Sequence, residues 1–279
     1  MTLPLILVCG PAGSGKDTVA AMIAKQTDAM LIAQADPMKR FAQKVFGFTE
    51  QQLWGPSEYR NGEDARFNET HEWGFAYYAL RQKGVHELAD VIPMSKDRRV
   101  LLEKWFLQMA HVHGFEYNWT TREFYVKAEV KGLSPRYALQ TLGTEWGRKI
   151  LPEMWNEYAV NNAFKALEGQ YNHYEKAHGF GDVDYSVVHS GKAPPPSMVV
   201  ITDGRFRNEI LNVRRQGGFA LLVKGPQQET LTAGVAGHVS EKELGGIPDN
   251  FFNHILVNDK TKGLDHLKDL VNDLMFHWF

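Results

Sequence analysis

One cysteine, Cys9, stands in 279 residues. An intramolecular disulfide and any multi-cysteine zinc or iron–sulfur site are thereby excluded, and a reducing compartment fits. No block of like charge runs along the chain, and 31 Lys and Arg against 33 Asp and Glu give a net charge of −2. Nonspecific attachment to DNA or to an anionic membrane therefore has no global electrostatic support. Long apolar runs are missing as well. The stretch Leu3 to Cys9 is far shorter than the roughly 20 residues that cross a bilayer, and no basic segment precedes it, so neither a span nor a signal peptide is expected. There is no internal repeat, heptad array or low-complexity tract beyond Pro194-Pro195-Pro196. The expectation is a cytoplasmic protein.

Hydrophobic residues at 43% and charged residues at 23% are ordinary for a folded domain. Five apolar runs read as buried strands: Leu3 to Cys9, Ala29 to Ala35, Met198 to Gly204, Phe219 to Val223 and Ile255 to Val257. Continuous rather than alternating apolarity is what a parallel sheet covered on both faces requires. Helical periodicity places Val19, Ala20, Ile23 and Ala24 on one face of Lys16 to Gln26, and Leu101, Leu102, Trp105, Phe106 and Met109 on one face of Lys96 to His113. Asp36-Pro37 and Ser134-Pro135 are cap-and-proline starts. They predict helices towards Gly47 and over Arg136 to Ile150, with another from Pro152 to about Leu167 and a last one over Leu264 to Phe279. The expected whole is a single α/β domain over 1–279: a parallel five-stranded sheet flanked by helices in three layers, a helical insertion at about 48–170 and a flexible excursion at about 178–197.

The segment Gly10-Pro11-Ala12-Gly13-Ser14-Gly15-Lys16-Asp17-Thr18 fits G-x-x-x-x-G-K, with Asp17 where the usual phosphate-binding loop has Ser or Thr. Glycines let backbone N–H groups wrap a β-phosphate, the following helix adds its positive end, and lysine adds a mobile charge. A buried strand before the loop and an amphipathic helix after it supply the context that the motif needs. Ala12, Gly13, Ser14, Gly15, Lys16, Asp17 and Thr18 are accordingly the expected ATP-binding residues. The loop resembles the G-x-P-G-S-G-K-G-T variant of adenylate-type nucleoside monophosphate kinases, in which the hydroxyl sits one place later. Thr18 then meets Mg²⁺, and Asp17 either holds magnesium-bound water or caps the helix.

A second buried strand ends at Asp203, the position from which such an enzyme orients magnesium, usually through water. Arg205 and Arg207 follow at the mouth of the sheet, where open α/β folds bind ligands; Arg205 is the expected phosphate contact and Arg207 the weaker one. Phosphoryl transfer builds charge on equatorial oxygens and needs cations on both the donor and acceptor sides. Lys39, Arg60, Arg66 and Arg136 are the other candidates, each with a solvated surface role as its alternative. His111 and His113 lack a carboxylate partner at metal spacing, so no metal beyond nucleotide-bound magnesium is expected.

Four patches in order along the chain resemble the deoxynucleoside monophosphate kinases of tailed bacteriophages: Ser14 to Thr18, Ala35 to Lys39, Arg136 to Glu145, and Val199 to Arg205. A fifth, His238-Val239-Ser240-Glu241, is similar to a segment that those kinases carry after the fourth strand. The stretch from about Trp54 to Lys131 aligns poorly. The resemblance implies transfer of the γ-phosphoryl group of ATP·Mg²⁺ to a deoxynucleoside monophosphate. Lys16, Arg136, Arg205 and Asp203 would be catalytic, and Asp17, Thr18 and Asp203 would serve the metal. Lys39, Arg136, Gly143 and Thr144 would line the acceptor site, with Arg66 or Arg60 as a further phosphate ligand. Trp155 would wall or stack on the base, or else fill an interhelical core. His238 and Glu241 would act as lid or cap residues.

Ala12 and Gly13 depart from members that carry basic residues there, shifting weight onto Arg136 and Arg205. Closure of a helical part over the site is expected to exclude water. The implied partners are ATP and the monophosphate, with a homodimer allowed and no nucleic acid or membrane. If the chain is phage-encoded, its place is the host cytoplasm. The rival readings are a kinase for another small acceptor such as dephospho-coenzyme A, and an ATP-binding switch or DNA-packaging accessory without acceptor chemistry.

Overall fold

The structure, a computed structural model, describes residues 4–11, 13–169, 195–225 and 243–278. In chain order its elements are β1 (Leu5–Cys9), α1 (Lys16–Thr27), β2 (Met30–Ala33), α2 (Asp36–Phe46), α3 (Glu50–Trp54), α4 (Ser57–Asn61), α5 (Thr70–Ala79), α6 (Val85–Ala89), α7 (Lys96–Val112), β3 (Phe115–Asn118), β4 (Glu123–Val126), α8 (Pro135–Thr141), α9 (Met154–Leu167), β5 (Val199–Gly204), α10 (Arg207–Arg215), β6 (Phe219–Lys224), β7 (His254–Val257) and α11 (Gly263–Trp278). They form two compact units, Met1–Gln34 with Asn156–Phe279, and Ala35–Trp155.

The first unit is α/β, with a five-stranded sheet in the order β2-β5-β1-β6-β7 and every neighbouring pair parallel. The expected parallel sheet flanked by helices is therefore present. β1 is central, and all five of its side chains are fully buried. Its alternate residues divide between two faces. Ile6 and Val8 join Val19 and Ile23 of α1 and Leu267, Val271 and Leu274 of α11 in one cluster, while α10 packs against β1 and β6 with Ile210 and Val213 buried. Each such aliphatic side chain contributes roughly 1.5–3 kcal/mol by leaving water. α1 stops at Asp28, whose left-handed φ of 52° lets its N–H reach the Ala24 carbonyl.

The second unit is built on an aromatic core. Phe46 stacks on Phe48 and Phe106 at 5.2 and 5.8 Å between centroids, and Phe67 meets Trp73 edge-on at 5.3 Å. Trp73 donates its indole N–H to the Phe67 carbonyl at 2.9 Å, so the ring is buried without an orphaned donor. The unit starts at Ala35 rather than near 48 because Phe41, Ala42, Val45 and Phe46 of α2 enter this core. It ends at Trp155 rather than near 170; from Asn156 the chain belongs to the first unit, where the Asn156 Oδ1 accepts from Asn212 Nδ2 of α10 at 2.7 Å.

β3 and β4 pair antiparallel, with Phe115 opposite Val126. The helix expected without a break over 136–150 is α8 followed by a π-helical stretch, Leu142–Arg148. A second π stretch, Leu80–Gly84, joins α5 to α6. No described helix is long and apolar enough to cross a membrane. The His238 and Glu241 segment lies outside the described residues, as does most of the expected excursion at 178–197.

Candidate functional site

Parallel strands bring all five carboxyl ends to one edge of the sheet, and β5 and β6 flank β1 on opposite sides. The crevice outside β1 is thus a switch point of the kind at which open α/β sheets bind ligands.

The loop after β1 is shaped by glycine. Gly13 and Gly15 have φ of 77° and 91°, in the left-handed region that other residues enter only at a cost. A side chain at Gly15 would also come within 2.4 Å of Asn258 Nδ2, and one at Gly10 within 2.7 Å of the Val223 carbonyl. The loop is therefore wedged against the ends of β6 and β7. α1 begins at Lys16, with Val19 N–H bonded to the Gly15 carbonyl; the first N–H groups of a helix have no partner within the helix itself and suit anions. Lys16 is buried at 5% exposure, and its Nζ lies 3.8 Å from the half-exposed Asp17 carboxylate. Ser14 is 2% exposed, and its Oγ has no hydrogen-bond partner among the described residues. Of the expected ATP-binding set, Ala12 lies outside the described residues; Gly13 to Thr18 are in this loop and the first turn of α1.

Burial pushes the Cys9 thiol well above its ordinary pKa, with Glu209 adding to the shift and Lys16 opposing it. Cys9 is thus an inert core residue, packed so closely that a side chain at Gly204 would meet its Sγ at 2.5 Å.

Asp203 sits where β5 leaves register with β1, between the Leu7–Ile201 and Cys9–Gly204 pairs. Its φ is 69°, a conformation rare outside glycine and concentrated at functional positions. The turn beyond it is held by Glu209, 4% exposed, whose Oε2 accepts from the N–H groups of Arg205 at 2.8 Å and Phe206 at 3.1 Å. Arg205 is half-buried. Arg207 lies over the Phe251 ring at 4.4 Å, so its exposed side chain serves packing. The donors expected to serve magnesium, Asp17, Thr18 and Asp203, all offer oxygen, the ligand that Mg²⁺ prefers. No group of three His, Cys, Asp or Glu able to hold a metal occurs among the described residues.

The acceptor candidates all belong to the second unit. Lys39 Nζ lies 5.5 Å from the centre of the Trp54 ring. Arg136 is half-buried in the first turn of α8, behind a Ser134 cap that accepts from Tyr137 N–H at 3.3 Å. Gly143 and Thr144 lie in the π stretch, a distortion frequent at functional sites. Trp155 is 4% exposed and donates its indole N–H to the Gly143 carbonyl at 3.0 Å. A side chain at Gly147 would meet the indole Cζ2 at 2.4 Å. Trp155 is therefore a core residue around which the π stretch folds. Arg66 grips Asp64 with Nε at 3.0 Å and Nη2 at 2.7 Å, and Nη2 also reaches the Phe46 and Gly47 carbonyls. That guanidinium caps α2 within its unit. Arg60 donates to Ser57 Oγ at 3.2 Å.

Three polar residues at the sheet edge escape sequence reasoning. Asn258 follows β7 and donates from Nδ2 to the Ser14 carbonyl at 2.9 Å. Glu209 holds the Asp203 turn. Gln34 follows β2, is 4% exposed, and its Nε2 lacks a partner among the described residues. Asn-Asp directly after an apolar run was a signal for the first, and a glutamate entering a helix for the second; Gln34 carries none. Comparison with models of known protein families and with curated proteins finds no match.

Proposed function

We propose that this chain is a P-loop kinase, of the three-layer kinase type, that transfers the γ-phosphoryl group of Mg·ATP to a deoxynucleoside 5′-monophosphate. The observation that carries the reading is the loop after β1, with left-handed Gly13 and Gly15 and a buried Lys16 at the start of α1, together with Asp203 at the positive-φ end of β5. Two buried polar atoms after strand ends that lack partners among the described residues, Ser14 Oγ and Gln34 Nε2, add support, since such atoms normally pair with a ligand or water.

An acceptor phosphate oxygen forms a bond to Pγ as the bond from Pγ to the β–γ bridging oxygen breaks, and ADP leaves with that electron pair. An ionised acceptor phosphate needs no general base. The chain's task is positioning and charge compensation. Loop amides would hold the β-phosphate, Lys16 would neutralise β and γ oxygens, and Asp203 with Thr18 or Asp17 would hold the magnesium that accompanies ATP, which would offset charge on the phosphates. Arg205 on the donor side and Arg136 on the acceptor side meet the charge that develops on the equatorial oxygens. Lys39, Gly143 and Thr144 complete the acceptor set. Such an enzyme would supply DNA precursors in the cytoplasm, that of the host if the chain is phage-encoded.

The test is ADP release with Mg·ATP against each dNMP and the matching NMPs. Turnover that depends on a dNMP, is lost in Lys16→Ala with ATP binding, and is lost in Arg136→Ala with ATP binding kept, is the expected result. If ATP binds but no monophosphate supports turnover, the acceptor assignment fails, and dephospho-coenzyme A is the next acceptor to assay.

A further inference from the structure

We infer that Asn258, at the end of the last strand, is a positioning residue that aims the glycine-rich loop at polyphosphate; the inference rests on reading that loop as a phosphate cradle. Asn258 is 7% exposed, and its own N–H is tied to the Lys224 carbonyl at 2.7 Å. The side chain is thus anchored on two adjacent strand ends before it touches the loop. From there its Nδ2 donates to the Ser14 carbonyl at 2.9 Å.

The consequence follows from the geometry of one peptide unit. The Ser14 carbonyl and the Gly15 N–H belong to the same planar trans group, so they point in opposite directions. Fixing the carbonyl on Asn258 turns the Gly15 N–H away from Asn258 and presents it as a donor. Without that bond the peptide unit is free to rotate, because Gly15 tolerates both signs of φ. The close fit removes the alternatives. A side chain at Gly15 would lie 2.4 Å from Asn258 Nδ2, and one at Gly225 would lie 2.9 Å from Ser14 Cα. The loop, the end of β6 and Asn258 form one packed unit, and the amide at its centre has a single direction.

Calorimetric titration of ADP with Mg²⁺ into the wild type, Asn258→Asp and Asn258→Ala tests this, with the Gly15 amide followed by NMR in each. Asn258→Ala removes the donor without adding charge and is expected to bind ADP about fivefold more weakly, the scale of one neutral hydrogen bond. Asn258→Asp sets an acceptor against the Ser14 carbonyl and is expected to lose at least about tenfold. The Gly15 amide proton should move downfield when the wild type takes up ADP, and move less in both variants. A residue that merely packs would leave that signal alone. Variants that bind ADP like the wild type with an unchanged Gly15 response overturn the role of Asn258 while leaving the cradle reading intact. A wild type indifferent to both ADP and pyrophosphate overturns the cradle reading and this inference with it. Should the charged variant fail to fold, Asn258→Ala alone decides.

Discussion

Replacing Gly147 by alanine tests whether the π stretch is shaped by Trp155. The added Cβ would lie 2.4 Å from Cζ2, 2.7 Å from Cε2 and 2.8 Å from Nε1 of the indole, where carbon atoms normally rest about 3.5–4.0 Å apart. The ring must therefore withdraw by more than about 1 Å. It cannot do so freely, because its Nε1 is bonded to the Gly143 carbonyl at 3.0 Å and Trp146 lies 6.5 Å away, centroid to centroid. Overpacking of this kind costs about 1–3 kcal/mol, and loss of the indole bond adds about 1 kcal/mol. Alanine in a helix recovers about 1 kcal/mol relative to glycine. The net expectation is a destabilisation of about 1–3 kcal/mol.

Gly74 is the matched control: it lies in α5 of the same unit, and a Cβ there meets nothing within 4 Å. Gly74→Ala should stabilise by up to about 1 kcal/mol. Urea unfolding followed by tryptophan fluorescence should show the two midpoints moving in opposite directions, with Gly147→Ala lower by about 0.5–1 M. A Gly147→Ala variant as stable as the wild type would show that the helix does not need its glycine to admit the indole.

Burial raises the pKa of Asp64, but hydrogen bonds from Arg66 and Gln52 outweigh it and hold the carboxyl below its ordinary 3.8. Its stabilisation is therefore complete above the unfolded pKa and lost as pH falls through the folded one; Asp64→Asn should be less stable at neutral pH, with the gap closing below about pH 4, and a gap independent of pH would refute the ion pair's part. Burial lowers the pKa of His113 below 6.5 against a bond between Nδ1 and the Met109 carbonyl. The unfolded chain then takes up the proton first, so wild-type stability should decline from about pH 7 towards pH 5, and a decline of the same slope in His113→Gln would remove His113 as its source. Gly15→Ala meets both the positive φ and Asn258 Nδ2; it should abolish ADP binding and lower stability by about 1–3 kcal/mol, and retained binding would sink the account of the loop.

Local signals were legible and non-local ones were not. All five strands of the sheet were readable as apolar runs, and Pro37 and Gly47 marked the two ends of α2, but Asp36 is not its cap: the N-cap is Ala35, which makes no side-chain bond, and Asp36 is already in the first turn. β3 and β4 were invisible: four-residue strands such as Phe115–Asn118 carry too little alternation, and what fixes them is the aromatic core behind Phe115 and Phe124. The π stretch escaped for a similar reason, since Gly143 and Gly147 look like ordinary helix glycines until Trp155 is seen against them. In the candidate site, Lys16 and Asp203 were readable from motif and strand ends. Asn258 was signalled only as a polar residue after an apolar run; its contact with the loop was not, because its partner Ser14 is 244 residues away.

The pairing of Leu5 with Val199 also sets a schedule for the nascent chain. The unit Ala35–Trp155 is continuous in sequence and can fold while it emerges from the ribosome. β1 cannot: both of its neighbours, β5 and β6, are made roughly 190 or more residues later, which at about 5–20 residues per second is about ten seconds or longer. For that time Leu5–Cys9, five apolar residues destined to be fully buried, have no sheet to join. The strands translated later, β5 and β6, complete the sheet around the first.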